Sequence, residues 1–208
     1  MNKTRALALF VGIFVLLSLY TRFSSTPSIE KNSIEPSATV LAFGDSLTYG
    51  YGAVESAYPK QLEVLINRKV VNAGVSGELS TQGLQRLPLL LKQYHPKLLI
   101  LCHGGNDILR GSSKILLKNN LLKMIDMSHK NGAEVLLVGV PSLGRFALTT
   151  EVLYDEVAQE RHVLYEADIL EEVESNPILK SDRIHPNAQG YAKMAEAFVT
   201  LLKEAGLL

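Results

Sequence analysis

Two unbroken apolar runs, Leu98-Leu99-Ile100-Leu101 and Val135-Leu136-Leu137-Val138, constrain the fold of this chain more than any other feature. A strand with one solvated face alternates apolar and polar residues, so a run without alternation fits a strand covered on both faces. Parallel sheets sandwiched by helices have such strands. Strand patterns at Thr39–Phe43, Lys69–Ala73, Lys97–Cys102, Glu134–Val140 and Val163–Tyr165 are separated by helical ones. The helical patterns lie near Pro59–Asn67, Thr81–Lys92, Lys114–Lys130, Val152–Arg161 and Ala188–Lys203. In the last of these, Tyr191, Met194, Ala195, Phe198 and Leu202 share one stripe, whereas Pro88 should kink the second. The alternation predicts an α/β protein, a three-layer α/β/α sandwich around a mostly parallel five-stranded sheet, without repeats or a second domain.

Open sheets of this kind bind ligands beyond the carboxyl ends of their strands. Here those ends carry chemistry. Gly44-Asp45-Ser46-Leu47 sets a serine on the turn leaving the first strand, and Gly104-Gly105-Asn106-Asp107 follows the third. Asn72-Ala73-Gly74 closes the second, and Asp182-Arg183-Ile184-His185-Pro186 stands in the loop before the last helix. Each string alone is also what an ordinary turn or helix cap uses. Together they supply a complete set: a serine hydroxyl needs an imidazole to take its proton and a carboxylate to orient that ring, which Ser46, His185 and Asp182 provide. A glycine N–H and an asparagine amide suit a developing oxyanion, which points to Gly74 and Asn106.

Ser46, Gly74, Asn106 and His185, each in its own block, resemble the GDSL or SGNH hydrolase superfamily over roughly Thr39 to Leu208. The blocks from Asn72 to Glu78 and from Gly83 to Pro88 are similar to the bacterial arylesterase, acyl thioesterase and lysophospholipase group. The resemblance implies Ser46 as nucleophile, His185 as general base and Asp182 as its partner. It implies an oxyanion hole formed by the Ser46 and Gly74 backbone amides with the Asn106 side chain. The expected activity is hydrolysis of carboxylic esters or thioesters of small acyl groups through an acyl-serine. A narrower form is an O-acetyl esterase acting on a cell-wall or extracellular polysaccharide. A reading of another class is a flavodoxin-like module whose Ser46-Leu47-Thr48-Tyr49-Gly50 loop cradles a phosphate or flavin, but it leaves Asn106, Asp182 and His185 without work. A catalytically silent, membrane-tethered binding domain is a third.

With 21 basic and 21 acidic side chains and no basic run in the domain, nucleic acid is not an expected partner. Cys102 is the only cysteine and reads as a small buried hydrophobe; no Cys or His cluster has metal-ligand spacing, and no cofactor or obligate protein partner is expected. Lys3 and Arg5 precede an uncharged run from Ala6 to Thr21, closed by Arg22. Residues 1–22 are therefore expected to be a signal or membrane-anchor segment, 23–38 a flexible linker and 39–208 the hydrolase domain. No convincing cleavage site follows, which favours an uncleaved anchor. The domain is then exported, periplasmic or extracytoplasmic, and tethered to the inner membrane; if cleaved, it is secreted. Loops Ile108–Ser113 and Pro141–Leu148 are candidates to shape specificity: Leu143, Phe146 and Leu148 suit either an acyl pocket or an exposed or core-packing role, and Arg145 is a candidate partner for a carboxylate or phosphate. His95, His129 and His162 read as solvated, and His103 has no expected role.

Overall fold

The computed structural model describes residues 33–143 and 147–208. The expectations for residues 1–32, for Arg145 and Phe146, and for the Leu143 side chain lie outside the described residues. Among the described residues no helix is long and apolar enough to cross a membrane.

Strands β1 (Val40–Gly44), β2 (Val70–Gly74), β3 (Leu98–Cys102) and β4 (Glu134–Val138) pair in parallel with a fifth, Leu164–Glu166, in the order β2-β1-β3-β4-fifth. Strand order reverses at β1, so the crevice between the carboxyl ends of β1 and β3 is the switch point where ligands bind in such sheets. All residues of β1 and β3 are buried, as their apolar runs require. Two short strands unforeseen in the sequence, β5 (Pro141–Leu143) and β6 (Leu148–Thr150), form a separate antiparallel ribbon beyond β4; the fifth sheet strand is therefore β7. Three residues each are too few for a periodicity signal.

Short helix α1 (Ser46–Tyr49) leaves β1, and α2 (Tyr58–Ile66) follows it. Helix α3 (Ser80–Tyr94) leads to β3, which ends in α4 (Gly105–Leu109) and then α5 (Lys114–Lys130). Beyond β6 come α6 (Val152–Arg161), α7 (Ile169–Ser175) and α8 (Ala188–Glu204). Helices α3, α5 and α6 pack side by side, and α2, α7 and α8 make a second group, giving the three layers. The α8 stripe of Tyr191, Met194, Ala195, Phe198 and Leu202 is wholly buried, and Phe198 meets Tyr58 of α2 edge-on at 5.2 Å. Helix α3 runs through Pro88 without interruption. His95 and His162 end α3 and α6 in the left-handed region, at φ 43° and 52°.

Ile34, which the sequence reading puts in the linker, belongs to this core. It is buried, its N–H donates to Leu207 at 2.9 Å, and its carbonyl accepts from the Arg68 guanidinium. One isoleucine among polar residues leaves no pattern to read.

Candidate active site

Asp45 begins the site by shaping α1. Its Oδ1 accepts the Leu47 N–H at 3.1 Å, a helix N-cap that puts Ser46 on the first turn at the end of β1. Its Oδ2 accepts the Asn106 side-chain amide at 3.3 Å, which ties the end of β3 to the end of β1. Burial pushes the Asp45 carboxyl above its usual range, opposed by His103, the Leu47 N–H, Asn106 and His185.

Ser181 ties the last loop back on itself, donating its N–H to the His185 carbonyl at 2.8 Å and its hydroxyl to the His185 and Pro186 carbonyls at 3.2 and 3.3 Å. Asp182 Oδ1 takes the N–H groups of Ile184 and His185, each at 2.8 Å, while its Oδ2 lies 2.7 Å from His185 Nδ1. Partial desolvation raises that carboxyl, but the two backbone N–H groups and the imidazole outweigh it and hold it at about 2. His185 Nε2 lies 3.1 Å from Ser46 Oγ, so a serine and a histidine 139 positions apart in the chain are within hydrogen-bond reach. The Asp182 bond assigns the proton to Nδ1 and leaves Nε2 as the acceptor facing the hydroxyl.

Tyr51 was not anticipated. Its ring stacks on His185 with centroids 4.4 Å apart, and its carbonyl accepts the Tyr191 hydroxyl at 2.9 Å. An aromatic five residues after a serine gives no sequence signal of such a pairing, since only the fold brings it to the last loop.

Ser46, Asn106 and His185 line one cavity of about 920 Å³; Gly74 does not. The Gly74 N–H donates to Asn72 Oδ1 at 2.9 Å, and a side chain at Gly74 would collide with the Tyr49 backbone nitrogen. Glycine is required there so that β2 can approach α1, not to offer a donor to the cavity. Gly77, three residues on, does line the cavity, as do Gly105 and Gly111; it stands at φ 78°, where an added side chain would meet only the Arg110 guanidinium, at 3.9 Å. No hydrogen bond among the described residues uses its N–H. Of the two candidate specificity loops, Ile108, Leu109, Gly111 and Ser112 line it from the first and Pro141, Ser142 and Leu148 from the second.

Asp107, next to Asn106, also lines the cavity, but its carboxylate is taken up by the start of α3. Its oxygens accept the Ser80 N–H at 2.8 Å and the Ser80 hydroxyl at 2.7 Å, capping α3, and Asn120 donates to the same hydroxyl at 2.9 Å.

His103 is fully buried, where a bystander at a strand end was expected. Its Nε2 lies 3.0 Å from Glu78 Oε2, and Glu78 is gripped by Arg86 through two 2.6 Å bonds. Arg86 also donates to the Gly44 and Ala73 carbonyls and covers the Phe43 ring at 4.2 Å. The His103 Nδ1 has no partner among the described residues, as fits a ring that carries its proton on Nε2 toward the carboxylate. Cys102 is buried, and burial pushes its thiol well above its usual range, which keeps it inert.

The GDSL-like Lipase/Acylhydrolase family model matches residues 42–193. Among curated proteins, the arylesterase of Vibrio mimicus is 32% identical over 78% of this chain and 86% of its own length. Thioesterase 1/protease 1/lysophospholipase L1 of Escherichia coli K12 is 35% identical over 76% and 80%. Among solved structures, that of TesA superposes with a TM-score of 0.72 at 29% identity, covering 80% of this chain and 99% of that one. AlinE4, described as an SGNH-hydrolase family esterase, gives 0.64 at 31%, covering 83% and 98%. With the family model spanning most of the sandwich and these relatives matched over four-fifths or more of their own length, the chain is a GDSL-type hydrolase and belongs to the GDSL-like lipase/acylhydrolase family.

Proposed function

We propose that this hydrolase cleaves carboxylic esters or thioesters of small acyl groups through a covalent acyl-serine at Ser46. The observation that carries the reading is the unbroken chain of hydrogen bonds from Asp182 through His185 to Ser46, at 2.7 and 3.1 Å. The names of the relatives, arylesterase and thioesterase 1/lysophospholipase L1, agree with it.

In this mechanism His185 Nε2 takes the Ser46 proton as Oγ attacks the substrate carbonyl, and Asp182 stabilises the imidazolium. The tetrahedral oxyanion is received by the Ser46 N–H, the Asn106 amide and the Gly77 N–H, the last in the role the sequence reading assigned to Gly74. The imidazolium then protonates the departing alcohol or thiol. Water, deprotonated by the same ring, releases the acid and regenerates Ser46. No step needs a metal or cofactor. The basic start and apolar run before the domain support export from the cytoplasm, by an anchor or a cleaved signal.

A fluorophosphonate probe should add once to the protein, with the adduct mapping to Ser46 by peptide mass spectrometry. Ser46→Ala should abolish both labelling and p-nitrophenyl ester hydrolysis in a folded protein. Near-normal turnover by that variant refutes the reading.

A further inference from the structure

We propose that Glu174 is a specificity residue of this site, a polar patch in the wall of the cavity that admits acyl groups of a few carbons and disfavours long alkyl chains. The proposal rests on the acyl-hydrolase reading above. Glu174 stands near the end of α7, is only 9% exposed, and lines the cavity shared by Ser46 and His185. No hydrogen bond or ion pair from a described residue reaches its carboxyl.

The other acidic groups of the cavity all have partners. Asp45 holds Leu47 and Asn106, Asp107 holds Ser80, and Glu151 holds Lys114 at 2.7 Å. Burial therefore dominates at Glu174 and, with the Asp45 charge adding and Lys180 opposing, pushes its carboxyl up to about 8. Protonated at neutral pH, it can donate a hydrogen bond as well as accept one.

A cavity of about 920 Å³ is roomy enough for a long acyl chain, so volume does not impose the limit. Polarity does. An alkyl chain laid against Glu174 would desolvate the carboxyl and return no hydrogen bond, a penalty that an acetyl group, too short to run along the cavity wall, escapes.

The test compares kcat/KM for p-nitrophenyl acetate and p-nitrophenyl octanoate at pH 7 in the wild type, Glu174→Leu and Glu174→Gln. Active sites are counted by fluorophosphonate labelling, so a misfolded fraction lowers the count and leaves the substrate ratio intact; Glu174→Met replaces the leucine variant if that does not fold. The wild type should favour acetate. Glu174→Leu should raise the octanoate-to-acetate ratio at least tenfold, and Glu174→Gln, of like shape and still polar, should stay within about threefold of wild type. A wild type that prefers octanoate, a leucine variant with an unchanged ratio, or a glutamine variant that shifts as far as leucine overturns the proposal. A wild type that cleaves neither ester and is not labelled at Ser46 refutes the acyl-hydrolase reading itself, which an unchanged ratio in an active enzyme does not.

Discussion

Tyr51 and His185 face each other with ring centroids 4.4 Å apart and planes tilted by 40°. The tyrosine is anchored from behind by the Tyr191 hydroxyl, so one side of the imidazole is supported by a ring and one nitrogen by Asp182. Two restraints define the plane of His185, and the hydroxyl of Ser46 lies in front of the remaining nitrogen.

Removing the ring should loosen the imidazole without removing it. Tyr51→Ala should lower kcat by roughly threefold to tenfold, the equivalent of an aromatic pair worth about 1 kcal/mol, with little change in KM. Tyr51→Phe keeps the stack and should stay near wild type. Steady-state kinetics on p-nitrophenyl acetate separate the two.

Asn106 and Gly74 should behave differently although both belong to strand-end motifs. Asn106→Ala removes the side-chain amide of a cavity-lining residue and should cost about 3 kcal/mol in transition-state stabilisation, roughly a hundredfold in kcat. Asn72→Ala frees the Gly74 N–H from its partner and should cost about 1 kcal/mol of stability while kcat stays within a few-fold. Thermal melting beside turnover measurements checks both; a kcat that rises roughly tenfold or more in the Asn72 variant, as a freed oxyanion donor would produce, would restore Gly74 to the site.

Asp182 sets a pH signature. Its folded carboxyl titrates at about 2, below the unfolded value of about 4. The stability it contributes is therefore fully present above about pH 4 and is lost as pH falls through about 2. The difference in melting temperature between wild type and Asp182→Asn should be constant from pH 7 to about pH 4 and shrink below that. A difference that already shrinks between pH 7 and 5 would show that the carboxylate is not held in this way.

The Arg86 and Glu78 pair should govern stability more than chemistry. Arg86 ties the carboxyl ends of β1 and β2 together through Gly44 and Ala73 while neutralising a Glu78 that is 6% exposed. Arg86→Ala removes the charge that balances that carboxylate, leaving it His103 alone, and should cost about 3 kcal/mol, or roughly 10 °C in melting temperature. A scanning calorimeter reads this directly, and a shift of under 2 °C would contradict it.

Much of the fold was legible because its determinants are local. Unbroken apolar runs mark doubly covered strands, and the 3.6-residue stripe of Tyr191, Met194 and Phe198 marks α8, so five sheet strands and the long helices fall close to where the sequence puts them. The short elements α1, α4, α7 and the β5–β6 ribbon escaped, being shorter than any period can reveal. His103 was passed over for a related reason: a histidine ending an apolar strand looks like a bystander until Glu78 and Arg86, from two other segments, close around it.

Residue types and spacing alone determined that a serine, an asparagine and an aspartate–histidine pair would sit at strand ends or before the last helix, because glycine turns and a parallel sheet leave them nowhere else. Only the tertiary structure decided that Ser46 and His185 meet at 3.1 Å, that Gly77 and not Gly74 lines the cavity, and that Glu174 is enclosed there with no hydrogen-bond or ion-pair partner among the described residues. Those outcomes depend on the return path of the last loop, on the φ of one turn residue and on which side chain reaches a given N–H first, all of them properties of packing between segments far apart in the chain.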